Sequence, residues 1–173
     1  IKSGRAVKLK LYLPIKKREE ETKIALIHEP DLYFIISKAK GTNAEKMASK
    51  TVIDYLSENY PYIIKTSREL YLHKDNCSCV CGIKINSKLK IKEDANVEII
   101  APDRGYYLVL MSNVMGDYER YSDLLLSFAS DNGISANISK AFAVYDVIDG
   151  FNTPKIRMYC PVKLRQNDNT SYM

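Results

Sequence analysis

The chain has 173 residues, 46% of them apolar, enough to pack the interior of one domain of ordinary size. Its longest apolar runs, "LYFII" and "YYLVLM", are too short to span a bilayer. A net charge of +5 is interleaved with acids, as in "IKKREEETK", which implies a solvated cationic surface and not a basic stripe that reads DNA.

The start at Ile1 fits a piece of a longer protein, and "IKSGRAVK" lacks the apolar core of a secretion signal. "VKLKLYL" (7–13) alternates and predicts a strand inside an N-terminal segment, 1–23, that continues an upstream region. From residue 24 the chain is written twice. "IHEPDLYFIISKAKG" (27–41) gives an apolar strand, a Pro-Asp turn, a strand led by Tyr33 and a closing Gly41. A helix follows, with Asn43 as N-cap, an inward face of Met47, Thr51, Val52, Tyr55 and Leu56, and an end at Asn59 and Pro61. "SRELYL" (67–72) and "CVCGIKI" (79–85) then read as a hairpin, and the basic loop "NSKLKIKED" leads onward.

"IIAPDRGYYLVLMSNVMG" (99–116) repeats the first pattern, with Tyr107 lying 74 positions after Tyr33 and Gly116 75 after Gly41. Asp117 is the expected cap of the second helix, Tyr121, Leu124, Leu125 and Phe128 its buried stripe, and Gly133 its end. "KAFAVYD" (140–146) and "MYCPVKL" (158–164) close the second unit, matching Tyr71 to Tyr145 and Cys81 to Cys160. The predicted fold class is α+β: tandem strand-helix-strand-strand modules, about 24–86 and 96–164, with antiparallel sheets about a pseudo-twofold axis. Residues 165–173 are predicted to be a flexible tail.

"CSCVCG" (77–82) sets three sulfurs at alternate positions, about 6.6–7 Å apart on a straight strand. A tetrahedral zinc needs sulfurs about 3.8 Å apart, so no metal is expected there. The match of Cys79 to Met158 and of Cys81 to Cys160 predicts buried structural thiols, with Cys77 exposed near the hairpin tip. Four reduced thiols fit a cytoplasmic protein. Thirteen tyrosines against four phenylalanines and no tryptophan suit a flat apolar pocket edged with hydroxyls, or ordinary strand composition.

The second unit, "GYYLVLMSNVMGDYERYSDLLLSFASDNGI" followed by "KAFAVYD" and "IRMYCPVK", resembles the GyrI-like small-molecule-binding superfamily. Within it, the chain is most similar to the effector-binding domain of BmrR-type multidrug regulators of the MerR family. The likeness rests on a "G-x-Y" strand, a Gly-Asp-Tyr helix entry, an "E-x-Y" strand and a final "E-I-Y-x-P-V" strand, and it covers about 24–164. The resemblance implies a pocket between the two halves that senses lipophilic or aromatic effectors in transcription regulation. DNA binding would belong to a domain absent from this chain, and the full-length protein would be a homodimer. No cofactor and no membrane partner is implied.

Two departures bear on chemistry. The buried Glu of the family's "E-x-Y" strand aligns with Ala143, and the next acid aligns with Arg157. A carboxylate lost and a guanidinium gained predict neutral or anionic aromatic ligands. Glu69, matched to Ala143, is expected to face the cavity and pair with Arg157, or else to face solvent. The remaining pocket candidates are Tyr33, Tyr71, Tyr107, Val114, Tyr118, Tyr145 and Met158, of which Val114 and Tyr118 match positions that touch ligand in the family. Catalysis is not expected, since Glu69 alone is left as an acid/base and His28, His73 and Cys160 show no evident partner. The alternatives are a stand-alone GyrI-like small-molecule-binding protein or hydrolase, and a protein-interaction inhibitor module.

Overall fold

A computed structural model describes residues 21–28, 30–86, 89–114, 116–147 and 155–163. The strand expected at 7–13, the C-terminal tail and the loop "DGFNTP" lie outside the described residues.

β1 spans Thr22–His28 and β2 Tyr33–Lys40; α1 follows at Ala44–Asn59 and the short α2 at Pro61–Thr66. Pro61 ends α1 but opens α2, the first-turn position where a missing N–H costs nothing. β3 (Glu69–Lys74) and β4 (Ser78–Ile85) form a hairpin. Its tip is tied by Asp75, whose carboxylate accepts the Cys77 and Ser78 N–H groups at 3.0 and 2.7 Å. After β5 (Glu98–Ile100) and β6 (Tyr106–Ser112) comes α3 (Tyr118–Asp131). β7 (Ser135–Ala136) and a 3-10 turn at 138–140 lead to β8 (Phe142–Asp146) and β9 (Ile156–Lys163).

The architecture is α+β, with nine strands in one sheet and every described pairing antiparallel. The order is β1-β6-β9-β8-β3-β4-β2-β5, with β7 attached to β9. β1 does not pair with the neighbouring β2; Ile24 lies opposite Leu110 of β6, and Ile99 of β5 lies opposite Ile35 of β2.

Both long helices cover the same face. Ala44, Ala48, Val52 and Leu56 recur every fourth residue and seal α1 onto β2 and β4. Tyr118, Tyr121, Leu125 and Ala129 do the same for α3 over β6 and β9. The expected stripes are thus rotated slightly: Met47 is 56% exposed and Leu124 41%, because each seam starts at the first helical residue. Asn43 and Asp117 flank the helices without a side-chain capping bond, whereas Gly133 takes the left-handed φ of 64° that ends α3.

Among the described residues the other face carries no helix, and it buries an aromatic cluster. Phe142 stacks on Tyr159 at 4.9 Å and on Tyr71 at 5.3 Å, with Phe34 and Tyr107 at its edges. Here the matching of tyrosines fails. Tyr71 and Tyr107 belong to this cluster, while Tyr145 and Tyr33 pack on the helix-covered face. A shift of one residue along a strand exchanges its faces, so Glu69 and Ala143 also point opposite ways.

Candidate functional site

A cleft of about 400 Å³ opens on the helix-covered face, between α1 and the start of α3. Glu45, Ser49, Val52 and Ile53 of α1 form one wall; Gly116, Asp117, Tyr118 and Glu119 form the other. The floor is β3 and β4, notably Leu70, Leu72, Cys81 and Ile83, together with Tyr145 of β8. Ile53, Leu70 and Val147 remain 46%, 41% and 52% exposed, an apolar lip around the opening.

The second wall is shaped by a glycine. A Cβ on Gly116 would stand 2.5 Å from the Tyr121 ring. That ring is fully buried, and its hydroxyl lies 2.9 Å from the Val114 carbonyl and 3.1 Å from Ser112 Oγ. Gly116 therefore lets the chain pass over Tyr121 and bring Tyr118 to the cleft. Tyr118 donates its hydroxyl to the Ala141 carbonyl at 2.7 Å, and burial pushes its phenol up to about 12.

Three carboxylates, Glu45, Asp117 and Glu119, face one ammonium, Lys74, around the cleft. Lys74 lies 3.1 Å from Glu45 and 4.0 Å from Glu119. Burial alone would lower its pKa, but the hydrogen bond and charge of Glu45, then Glu119, outweigh this and raise it. Tyr145 is pushed the same way, first by burial and then by the charges of Glu45 and Glu119. It stays a phenol, and among the described residues no partner takes its hydroxyl. An apolar floor, an acidic rim and a spare phenolic donor suit a flat, neutral or cationic guest.

Of the expected pocket residues, Tyr71, Tyr118 and Tyr145 line this cleft, with the Tyr71 ring itself in the aromatic cluster beneath. Ala143 and Met158 sit on the helix-covered face but are wholly buried under α3. Val114 lies outside the cleft and acts through Tyr121. Tyr107 is on the opposite face and donates to the Asp103 carbonyl at 2.8 Å. Tyr33 and Glu69 line a separate, polar hollow with Arg68 and Lys84.

The expected pairing of Glu69 with Arg157 is present, joined by Lys84 at 2.5 Å, but on the helix-free face. Glu69 alternates with Tyr71, and Arg157 with Tyr159, so neither enters the cleft. The basis for an anion preference therefore falls, and Glu69 cannot serve as an acid/base there. His73 lines a hollow beside Phe142 and Tyr107 while Cys160 lies in the core under α3, which leaves no dyad. Glu45, Asp117, Glu119 and Lys74 were missed. The available signal was an acid in the first turn of each helix, shortly after Gly41 and Gly116.

The thiols follow the expected burial: Cys77 is exposed, and Cys79, Cys81 and Cys160 are buried and free. Their spacing does not. The sulfurs of Cys79 and Cys81 converge to 3.6 Å, because both side chains lean toward one another along β4. Among the described residues, no group of three or more metal-binding side chains forms.

Comparison with known proteins gives a fold and no family. No protein-family model matches the sequence, and no curated protein matches it. An uncharacterized conserved protein from Listeria innocua superposes with a TM-score of 0.54 at 12% identity, over 82% of this chain and 92% of that one. A hydrolase from Listeria innocua matches over the same shares, with a TM-score of 0.51 at 13% identity. At these identities the likeness is one of fold. No helix among the described residues is long and apolar enough to cross a membrane.

Proposed function

We propose that the chain is a small-molecule-binding module, the effector-sensing part of a transcription regulator, whose cleft takes a flat lipophilic guest, neutral or cationic. The cleft of about 400 Å³ between α1 and α3 carries this reading, since its size falls within the range of about 300–1,000 Å³ of ligand pockets. Strand order supports the duplicated-module organisation behind it. Exchanging β1, β2, β3 and β4 with β5, β6, β8 and β9 returns the same order read backwards. In this reading, DNA is bound by a further domain of a homodimeric protein, and the guest acts by preferring one arrangement of the whole.

Ser49→Trp tests the cleft. Ser49 is half-buried on the α1 wall, and the natural chain has no tryptophan, so the new indole reports its own burial by emission wavelength. An indole covers about 150–250 Å², worth about 4–6 kcal/mol of apolar contact to a competing guest before losses. Titration with rhodamine 6G and with Nile red is expected to show at least tenfold weaker binding in the variant. Unchanged affinity with a buried indole would sink the proposal.

Hydrolysis in the same cleft is the second reading, favoured by Glu45 and Glu119 beside Tyr145 and by the hydrolase among the structural neighbours. Turnover of an ester or epoxide panel that disappears in Glu45→Gln or Glu119→Gln, with dye binding kept, would establish it.

A further inference from the structure

We propose that Cys79 and Cys81 form a dithiol clamp for monosubstituted trivalent arsenicals, with the organic substituent directed into the cleft. The pairing of sulfurs at 3.6 Å is the primary observation. With bonds of about 2.3 Å, as for zinc thiolates, two sulfurs so placed subtend about 103° at a shared centre. That is an ordinary angle for a pyramidal three-coordinate atom. A linear two-coordinate ion with the same bonds would need sulfurs about 4.6 Å apart.

The surroundings select against a metal cation. Among the described residues no further His, Cys, Asp or Glu completes a coordination set. Metal binding also requires thiolates, whereas burial, followed by the neighbouring Cys81, pushes the Cys79 thiol up. An arsenical needs no net ionisation. In the condensation of R–As=O with two thiols, the As=O and two S–H bonds break, two As–S bonds form, and the oxygen leaves with both protons as water. Arsenic stays trivalent, no thiol is oxidised, and no charge is left in the core.

Access comes from two sides. Cys81 lines the cleft, and Cys79 lines a groove on the far side of the Lys74–Glu45 pair. Cys81 Sγ is further held by the Glu45 carbonyl at 3.6 Å, at the start of α1. The third arsenic substituent then has apolar surface at hand in Leu72 and Tyr118. The clamp does not depend on the natural guest of the cleft: dye titration reports that site, and arsenical uptake reports this one.

The test adds phenylarsine oxide to the folded full chain and reads intact mass, followed by a count of thiols in denaturant. One adduct per chain is expected, equal to the reagent less one water, with two of the four thiols consumed. It should persist in Cys77→Ser and Cys160→Ser, fall at least tenfold in Cys81→Ser and Cys79→Ser, and be removed by 2,3-dimercaptopropanol far better than by a monothiol. Circular dichroism checks each variant; should Cys79→Ser unfold, Cys81→Ser and Cys81→Ala decide the matter. An adduct that survives in Cys81→Ser, vanishes in Cys77→Ser, or forms only on the unfolded chain would overturn the proposal.

Discussion

Removing Glu69 should destabilise the protein much more than removing its cationic partner Arg157. Glu69 meets both Arg157 and Lys84, and the three side chains are 19%, 24% and 31% exposed. Glu69→Ala leaves two cations facing each other on a largely covered sheet surface. Truncating one partner of a fully buried ion pair costs about 3–5 kcal/mol; with a fifth to a third of each group still solvated, about 2–3 kcal/mol is expected here. For a chain of this length that lowers Tm by about 4–12 °C. Arg157→Met is the contrasting change. Its Nε is already buried without a hydrogen-bond partner, and the residues across from it, Met111 and Val144, are apolar. Glu69 keeps Lys84 in that variant, so stability should stay within about 1 kcal/mol. Urea unfolding read by circular dichroism measures both, and dye affinity in Arg157→Met should match the wild type, because the guanidinium lies away from the cleft. A cost below about 0.5 kcal/mol for Glu69→Ala, or a larger one for Arg157→Met, would refute the reasoning.

Gly116→Ala forces a methyl group against the buried Tyr121 ring, and overpacking of this kind costs about 1–3 kcal/mol. A thermal melt should fall accordingly and dye binding should weaken with the displaced wall; an unchanged Tm would contradict the close approach. Asp75, held low by the Ser78 hydroxyl and the Cys77 and Ser78 amides, has its carboxyl pulled from 3.8 to about 2. Its folded pKa lies below the unfolded one, so its contribution is present above pH 3.8 and is lost as pH falls through about 2. Carboxyl carbon NMR should place the midpoint near that lower value; a midpoint near 4 would show the hairpin tip to be open.

The order of the main strands and the two long helices was legible because glycines and helix periodicity mark boundaries locally, whereas α2, β7 and the 3-10 turn, each six residues or fewer, leave no periodic signal. Gly41 and Gly133 stand where positive φ is needed, and the strand bounds moved by only a few residues. The Glu69–Arg157 pairing was one of two readings open for Glu69, and it forms away from the cavity it was expected to face. Facing was not legible. In β2 and β6 four successive residues are buried, so no polar alternation tells one side from the other. Matching Tyr33 to Tyr107 and Tyr71 to Tyr145 therefore fixed the wrong register by one step, whereas matching Cys81 to Cys160 kept the faces right. The same slip set Glu69 against Ala143, which points to the other side of the sheet. The approach of Cys79 to Cys81 depends on side-chain rotation about neighbouring strand positions, which sequence spacing does not encode.

The exchange of outer strands has a mechanical consequence. β1 extends the single sheet beyond β6 at one edge, and β5 extends it beyond β2 at the other, so each edge is closed by a strand from a distant part of the chain. With β3 and β8 also hydrogen-bonded at the centre, the described residues leave no seam along which the sheet could swing open like a book. An occupant wedged beneath α1 would instead tilt that helix across a stiff, unbroken floor. The resulting displacement would be small and sideways, confined to α1 and the start of α3.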